Sequence, residues 1–168
     1  MSEDRIILSL PGEQATCRSA RAAARRWHAG EPPLIFLSGE LGSGKSTWAR
    51  AFILALGWQG PVPSPSYTLV ERYPVAQGQL VHVDLFRLAY PAEVELLGLR
   101  EMYGTTTMLV EWPSRGRGRL PRPDMLLRFA WCQEGRLVRA RSLTKTGLRM
   151  LAAMAAACPM KDNSTMAC

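Results

Sequence analysis

The sequence predicts an α/β domain in three layers, a mixed, mainly parallel sheet flanked by helices. Three observations predict it. Short continuous apolar runs, LIFLS at 34–38 and TTMLVEW at 106–112, have the pattern of strands buried on both faces. Segments with helical spacing alternate with such runs. Near the end, MLLRFAW and RLVRARSL flank CQEG as the strands of an antiparallel hairpin flank a glycine turn. This order of elements suits a mixed sheet with helices packed against it.

The elements follow in chain order. IILSL (6–10) reads as a first strand, closed by Pro11-Gly12. In EQATCRSARAAARRWHAG, Ala20, Ala23, Ala24 and Trp27 fall at i, i+3, i+4 and i+7, one face of a helix that Gly30 ends. Pro32-Pro33 lead into LIFLS. A second helix is expected from about Lys45 to Leu56, stopped by Gly57. PVPSPSY (61–67) carries proline at every second position, which blocks a helix and a central strand and forces an extended loop. TLVERY (68–73) and QLVHVDLF (79–86) read as strands around a turn containing Gly78. YPAEVELLGL reads as a short helix with Pro91 in its first turn. After the hairpin, a short helix at about 147–158 and a loose tail are expected. The expected organisation is one domain over 1–143 and a C-terminal extension over 144–168.

A chain of 168 residues is long enough to bury a core, and 47% hydrophobic with 21% charged residues is ordinary for a globular protein. No apolar run reaches the roughly 18 residues that span a bilayer. MSEDRIILSL has acidic residues where an export signal wants basic ones. Cys17, Cys132, Cys158 and Cys168 form no CxxC pair and no metal-ligand spacing, so they read as free thiols of a cytoplasmic protein. The net charge of +7 is uneven. Pro113 to Arg149 holds ten basic residues and two acidic ones, a local +8, so the rest of the chain sums to −1. Such a segment suits a polyanion or an acidic protein surface, or is simply a solvated arginine-rich face.

The chemistry concentrates in FLSGELGSGKSTWARAFILALG. Gly39, Gly44, Lys45 and Ser46 match G-x-x-x-x-G-K-[ST], with an apolar strand before and a helix after. Glycines let successive backbone N–H groups face one concavity, and the helix adds the positive end of its dipole. Lys45 reaches outer phosphates and the Ser46 hydroxyl suits Mg²⁺. Binding of a nucleoside triphosphate with Mg²⁺ is therefore expected. Hydrolysis needs carboxylates as well. LVHVD ends in Asp84 and TMLVE ends in Glu111, and the carboxyl ends of parallel strands lie beside such a loop. Ser64, Ser66 and Thr68 offer hydroxyls on the proline-laced loop, although on spacing alone that loop reads as a surface turn.

Taken in series, GELGSGKST, SPSYTLVERY, HVDLFRL, LLGLREMY and VEWP resemble the bacterial TsaE family, small P-loop ATPases of tRNA threonylcarbamoyladenosine synthesis. The resemblance runs over about residues 5–143. It implies a P-loop NTPase-like fold and an ATP cradle formed by Gly39, Glu40, Leu41, Gly42, Ser43, Gly44, Lys45, Ser46 and Thr47, with Thr16 approaching the nucleotide. It implies Ser46 and Glu111 on the Mg²⁺, Asp84 as the other carboxylate, and Lys45, Asp84 and Glu111 as the catalytic set. Ser64, Pro65, Ser66 and Tyr67 become a nucleotide-sensitive switch, and Trp112 packs beside the site. The implied partner is a TsaB–TsaD heterodimer, reset by ATP hydrolysis between cycles, with a slow ATPase in its absence. Three departures stand out. Ser66 replaces the pattern's usual Thr, Phe86 replaces Tyr, and SRGRGRLPRP is unusually basic. Arg115, Arg117 and Arg119 in that segment are candidates for contact with tRNA phosphates. The rival readings are a small-molecule or nucleotide kinase, with the arginine-rich loop as its lid, and a module that holds ATP without turnover.

Overall fold

A computed structural model describes residues 4–27 and 30–161. Seven strands form one sheet in the order β1-β7-β6-β2-β5-β4-β3. They are β1 (Arg5–Leu10), β2 (Leu34–Gly39), β3 (Val70–Val75), β4 (Gly78–Asp84), β5 (Thr107–Glu111), β6 (Met125–Cys132) and β7 (Gly135–Ser142). The central strands β6, β2, β5 and β4 are mutually parallel, and the antiparallel pairings lie toward the two edges. Five of the seven strands therefore run in one direction, as the apolar runs predict. The fully buried TMLVE of β5 sits at the middle of that parallel group.

Three α-helices cover one face: α1 (Glu13–Ala24), α2 (Lys45–Ala55) and α3 (Lys145–Ala157). The predicted stripe of Ala20, Ala23, Ala24 and Trp27 is buried in the core they share with the inward faces of β1, β2, β6 and β7. α1 ends before Gly30 because its last turn tightens, with the Arg26 and Trp27 amides donating to the carbonyls three residues back. The other face is covered differently. Leu85, Leu88, Val94 and Leu99 close over Val81, Val83, Met108 and Val110. The segment expected as a short helix, Pro91–Leu97, is a 3₁₀-helix, followed by another at Arg100–Met102. Gly98, at φ 61°, turns the chain between them.

β3 lies two residues later than the sequence predicts and includes Pro74. An edge strand tolerates this, because the missing N–H need serve only one neighbour. Helix α3 buries Met150, Leu151 and Met154 in the same core as α1. The chain after it then runs along the outer edge of β1, where the Ser9 and Lys161 amides bond Pro159 and Ile7 carbonyls. The loose tail expected beyond this point lies, from residue 162, outside the described residues. Among them, Cys17, Cys132 and Cys158 are free thiols, and no helix is long and apolar enough to cross a membrane.

Candidate active site

Strand register brings the predicted carboxylates together. Asp84 stands opposite Glu111 across the parallel β4–β5 pair, and Glu111 stands opposite Leu37 across β2–β5. Both carboxylates therefore come to the carboxyl edge of the sheet, where β2 leads into the glycine loop. Each strand ends by a defined device. Asp84 Oδ1 accepts the Phe86 amide at 2.9 Å, an Asx-type turn that stops β4. Beyond Glu111, Trp112 adopts a left-handed conformation (φ 56°), rare for a bulky residue and typical of functional sites.

The glycine loop places Gly39, Gly42 and Gly44 at φ 138°, 73° and 106°. A Cβ on Gly39 would lie 2.4 Å from the Phe129 carbonyl oxygen, so the loop starts where only glycine passes β6. No side chain caps the first turn of α2, whose first residue is Lys45. Lys45 is 3% exposed. Its ammonium donates to the Gly39 carbonyl at 3.0 Å and the Glu40 carbonyl at 2.8 Å, and it lies 4.3 Å from the centre of the Trp112 ring. Burial lowers its pKa from the ordinary 10.5, and the charges of Glu111 and Asp84 oppose that shift.

Ser46 Oγ donates to Glu111 Oε2 at 2.9 Å, joining the loop to the sheet edge. The proline-laced loop closes the other side. Pro65 is buried, and the Leu69 amide returns to its carbonyl at 2.7 Å. Ser66 Oγ donates to Asp84 Oδ2 at 2.7 Å and is 2.9 Å from Ser64 Oγ. The cleft is therefore lined by Gly44, Lys45, Ser46 and Thr47 on one side, Ser64 and Ser66 on another, and Asp84, Glu111, Phe86 and Trp112 on its floor. Phe86 lies against Trp112, ring centres 5.0 Å apart, so an aromatic contact persists without the tyrosine hydroxyl. Tyr67 points outward, with the Arg87 guanidinium 4.1 Å from its ring centre.

Two groups of predicted residues stand apart. Thr16 is buried in the first turns of α1 and donates to the Gly12 carbonyl at 3.3 Å; it is not among the residues lining the cleft. Arg115, Arg117 and Arg119 are exposed beyond β5, and Arg119 pairs with Glu95 at 2.7 Å. The sequence reading missed His82. It is buried beneath the site, and its Nε2 lies 2.9 Å from Glu111 Oε1, so both Glu111 oxygens are bonded. Strand alternation gave the signal, since His82 and Asp84 share one face of β4.

Hard oxygen donors at the head of a helix fit Mg²⁺, a cation that protein sites hold through one or two oxygens while phosphates complete its shell. Residues 10–140 match the family model described as threonylcarbamoyl adenosine biosynthesis protein TsaE. The chain is 34% identical over 148 residues to the tRNA threonylcarbamoyladenosine biosynthesis protein TsaE of Haemophilus influenzae, covering 86% of this chain and 94% of that one. It is also 34% identical to the protein of that name in Streptomyces coelicolor, covering 76% and 87%. A crystal structure of Bacillus subtilis YdiB superposes with a TM-score of 0.67 at 22% identity over 90% of this chain, a likeness of fold.

Proposed function

The chain belongs to the TsaE family of threonylcarbamoyl adenosine biosynthesis proteins, and we propose that within that pathway it binds and hydrolyses Mg-ATP to reset a TsaB–TsaD heterodimer between rounds of tRNA modification. One observation carries the reading. The Ser46 hydroxyl, the Glu111 carboxylate and the Asp84 carboxylate meet at the mouth of a glycine loop whose lysine is already buried beside them.

The residues divide the work. The loop amides and the start of α2 receive phosphate oxygens. Lys45 exchanges its bonds to the Gly39 and Glu40 carbonyls for the outer phosphates, whose charge favours its protonated form. Ser46 and Glu111 hold the Mg²⁺. When bound, the ion polarises the terminal phosphate and neutralises its charge. Asp84 orients water or metal, and Ser66, bonded to it, couples the loop at 64–67 to what the cleft holds. Trp112 and Phe86 shield the floor from solvent.

Reset makes a kinetic prediction. With TsaB, TsaD, tRNA and the threonylcarbamoyl donor, a first round of modification should proceed without this chain, and later rounds should require it together with ATP. Later rounds that run equally well in its absence would sink the reading. Phosphate transferred to a small acceptor without TsaB–TsaD would hand the site to a kinase. In the assembled complex Arg115 and Arg117 reach for tRNA phosphates. Unchanged tRNA affinity after Arg115→Ala, Arg117→Ala and Arg119→Ala together would exclude that contact.

A further inference from the structure

Strands β1, β7 and β6 present one face that the second apolar layer does not reach. That layer draws its strand residues from β2, β3, β4 and β5, and none from β1, β6 or β7. The other face of these three strands is buried against the helices through Leu8, Leu127, Phe129, Val138 and Ala140. Alternation therefore turns Arg5, Arg128, Arg139 and Arg141 to the opposite side, and all four are exposed. Register sets them side by side. Arg5 stands opposite Arg141 across β1–β7, and Arg139 stands opposite Arg128 across β7–β6.

The basic block continues past the strands. Arg122 shares a groove with Arg141 and Lys145 beside the start of α3, and Arg128 shares a cleft with Ser114 of the segment after β5. Two carboxylates border the block, Asp4 in the first groove and Glu40 in the second. Among the described residues, no carboxylate forms an ion pair with Arg5, Arg122, Arg128 or Arg141. Like charges directly opposite each other weaken a sheet. Two such pairs side by side are therefore not explained by the fold, and an arriving anion would turn their repulsion into attraction.

The chemistry of the face selects the anion. Every charge on it is a guanidinium, whose planar fork bonds two phosphate oxygens at once. Neighbouring strands lie about 4.8 Å apart and residues two apart on one strand about 7 Å, so the charges stand at intervals of that size. A nucleic-acid backbone supplies negative charge at such density. The other residues on the face, Ile7, Ser9, Leu126, Ala130 and Leu137, include no ring on which a base could stack. The face therefore suits the backbone of a structured RNA rather than splayed-out bases. An RNA also suits a member of a family of tRNA threonylcarbamoyladenosine biosynthesis proteins.

We infer that the open face of β1, β7 and β6, through Arg5, Arg128, Arg139 and Arg141, docks on the phosphate backbone of a structured RNA. This surface is distinct from the arginines of the loop after β5, and the inference does not depend on ATP hydrolysis in the cleft. The test is fluorescence anisotropy of a labelled tRNA transcript titrated with the full chain, without nucleotide or TsaB–TsaD, between about 50 and 200 mM KCl. The wild type should bind, with log affinity falling linearly against log salt. Arg128→Gln together with Arg141→Gln should weaken binding roughly tenfold at the lower salt and make that slope shallower by about one to two. The melting temperature should not fall, because the change relieves like-charge pairs. A wild type that does not bind the transcript overturns the inference, and so does a double variant with wild-type affinity and slope. Displacement of the transcript by poly-glutamate as readily as by unlabelled tRNA overturns it too, since the face would then fit an acidic protein. A fall in melting temperature that matches the loss of affinity does the same, since the arginines would then act through the fold. ATP hydrolysis by the same samples keeps the two readings apart. If turnover is absent while RNA binds through the face, the cleft reading fails alone. If turnover is present and the double variant binds RNA as the wild type does, only the inference falls.

Discussion

The floor and the rim of the cleft are built on opposite terms. On the floor, Lys45, His82, Asp84 and Glu111 are each at most 3% exposed and every one has a hydrogen-bond partner. On the rim, Tyr67 is 82% exposed and Leu41 73%. His82, Asp84 and Glu111 come from strands whose register is set by their apolar neighbours, and Lys45 from the first turn of α2 packed against them, so their geometry is as firm as the sheet. The rim residues come from loops, carry large apolar surface and contribute little to the core. The difference teaches where chemistry and partner contact are separated: burial holds the reacting groups, and exposure leaves the rim available to another surface.

The sharpest way to break this division is through the floor. Glu111→Ala should lower ATP hydrolysis by roughly a hundredfold or more, because it removes the oxygen that joins Ser46 to the sheet edge. Steady-state phosphate release checks this. Gly39→Ala attacks the support instead. Its Cβ would meet the Phe129 carbonyl oxygen at 2.4 Å, so a shift of β6 or of the loop is needed. A stability loss of about 3 kcal/mol or more is expected by urea unfolding, with nucleotide binding lost alongside.

The site was legible in the sequence as far as spacing and strand ends reach. The glycine loop is a local motif, and an apolar strand ending in a carboxylate points to the edge where such loops lie, so Lys45, Ser46, Asp84 and Glu111 could be found without coordinates. His82 left only the signal of alternation, which puts it on one face of β4 with Asp84; its bond to Glu111 of the neighbouring strand shows only in the folded sheet. Thr16 illustrates the reverse, a polar residue in a suggestive position whose hydroxyl is used within its own helix. The second layer was hidden for a further reason. Its apolar residues, such as Leu85, Leu88, Val94 and Leu99, follow no helical or strand period, because 3₁₀ turns and loops carry them.

Smaller effects sharpen the comparison. His82→Leu should cost about 1–3 kcal/mol in unfolding experiments, since it leaves one buried Glu111 oxygen unpaired, and His82→Gln should restore part of it. The buried lysine adds a pH signature. Its folded-state pKa is lowered, so between that value and the ordinary 10.5 the unfolded chain binds more protons than the folded one. The charged lysine is thus a cost to folding below the window, relieved as pH rises through it. Relative to Lys45→Met, the wild type should gain stability as pH is raised from neutrality towards that limit, read from paired unfolding curves. At the rim, Tyr67→Ala and Leu41→Ala should change stability by no more than about 0.5 kcal/mol, while weakening association with TsaB–TsaD in a pull-down or titration. A large stability loss there would erase the distinction between floor and rim.

The most direct test of the account is ATP hydrolysis by the purified chain with Mg²⁺, alone and with TsaB–TsaD and tRNA, wild type beside Glu111→Ala. The account predicts slow turnover alone, stimulation by the heterodimer, and loss of both in the variant. Hydrolysis that is indifferent to the heterodimer, or that survives in Glu111→Ala, would contradict it.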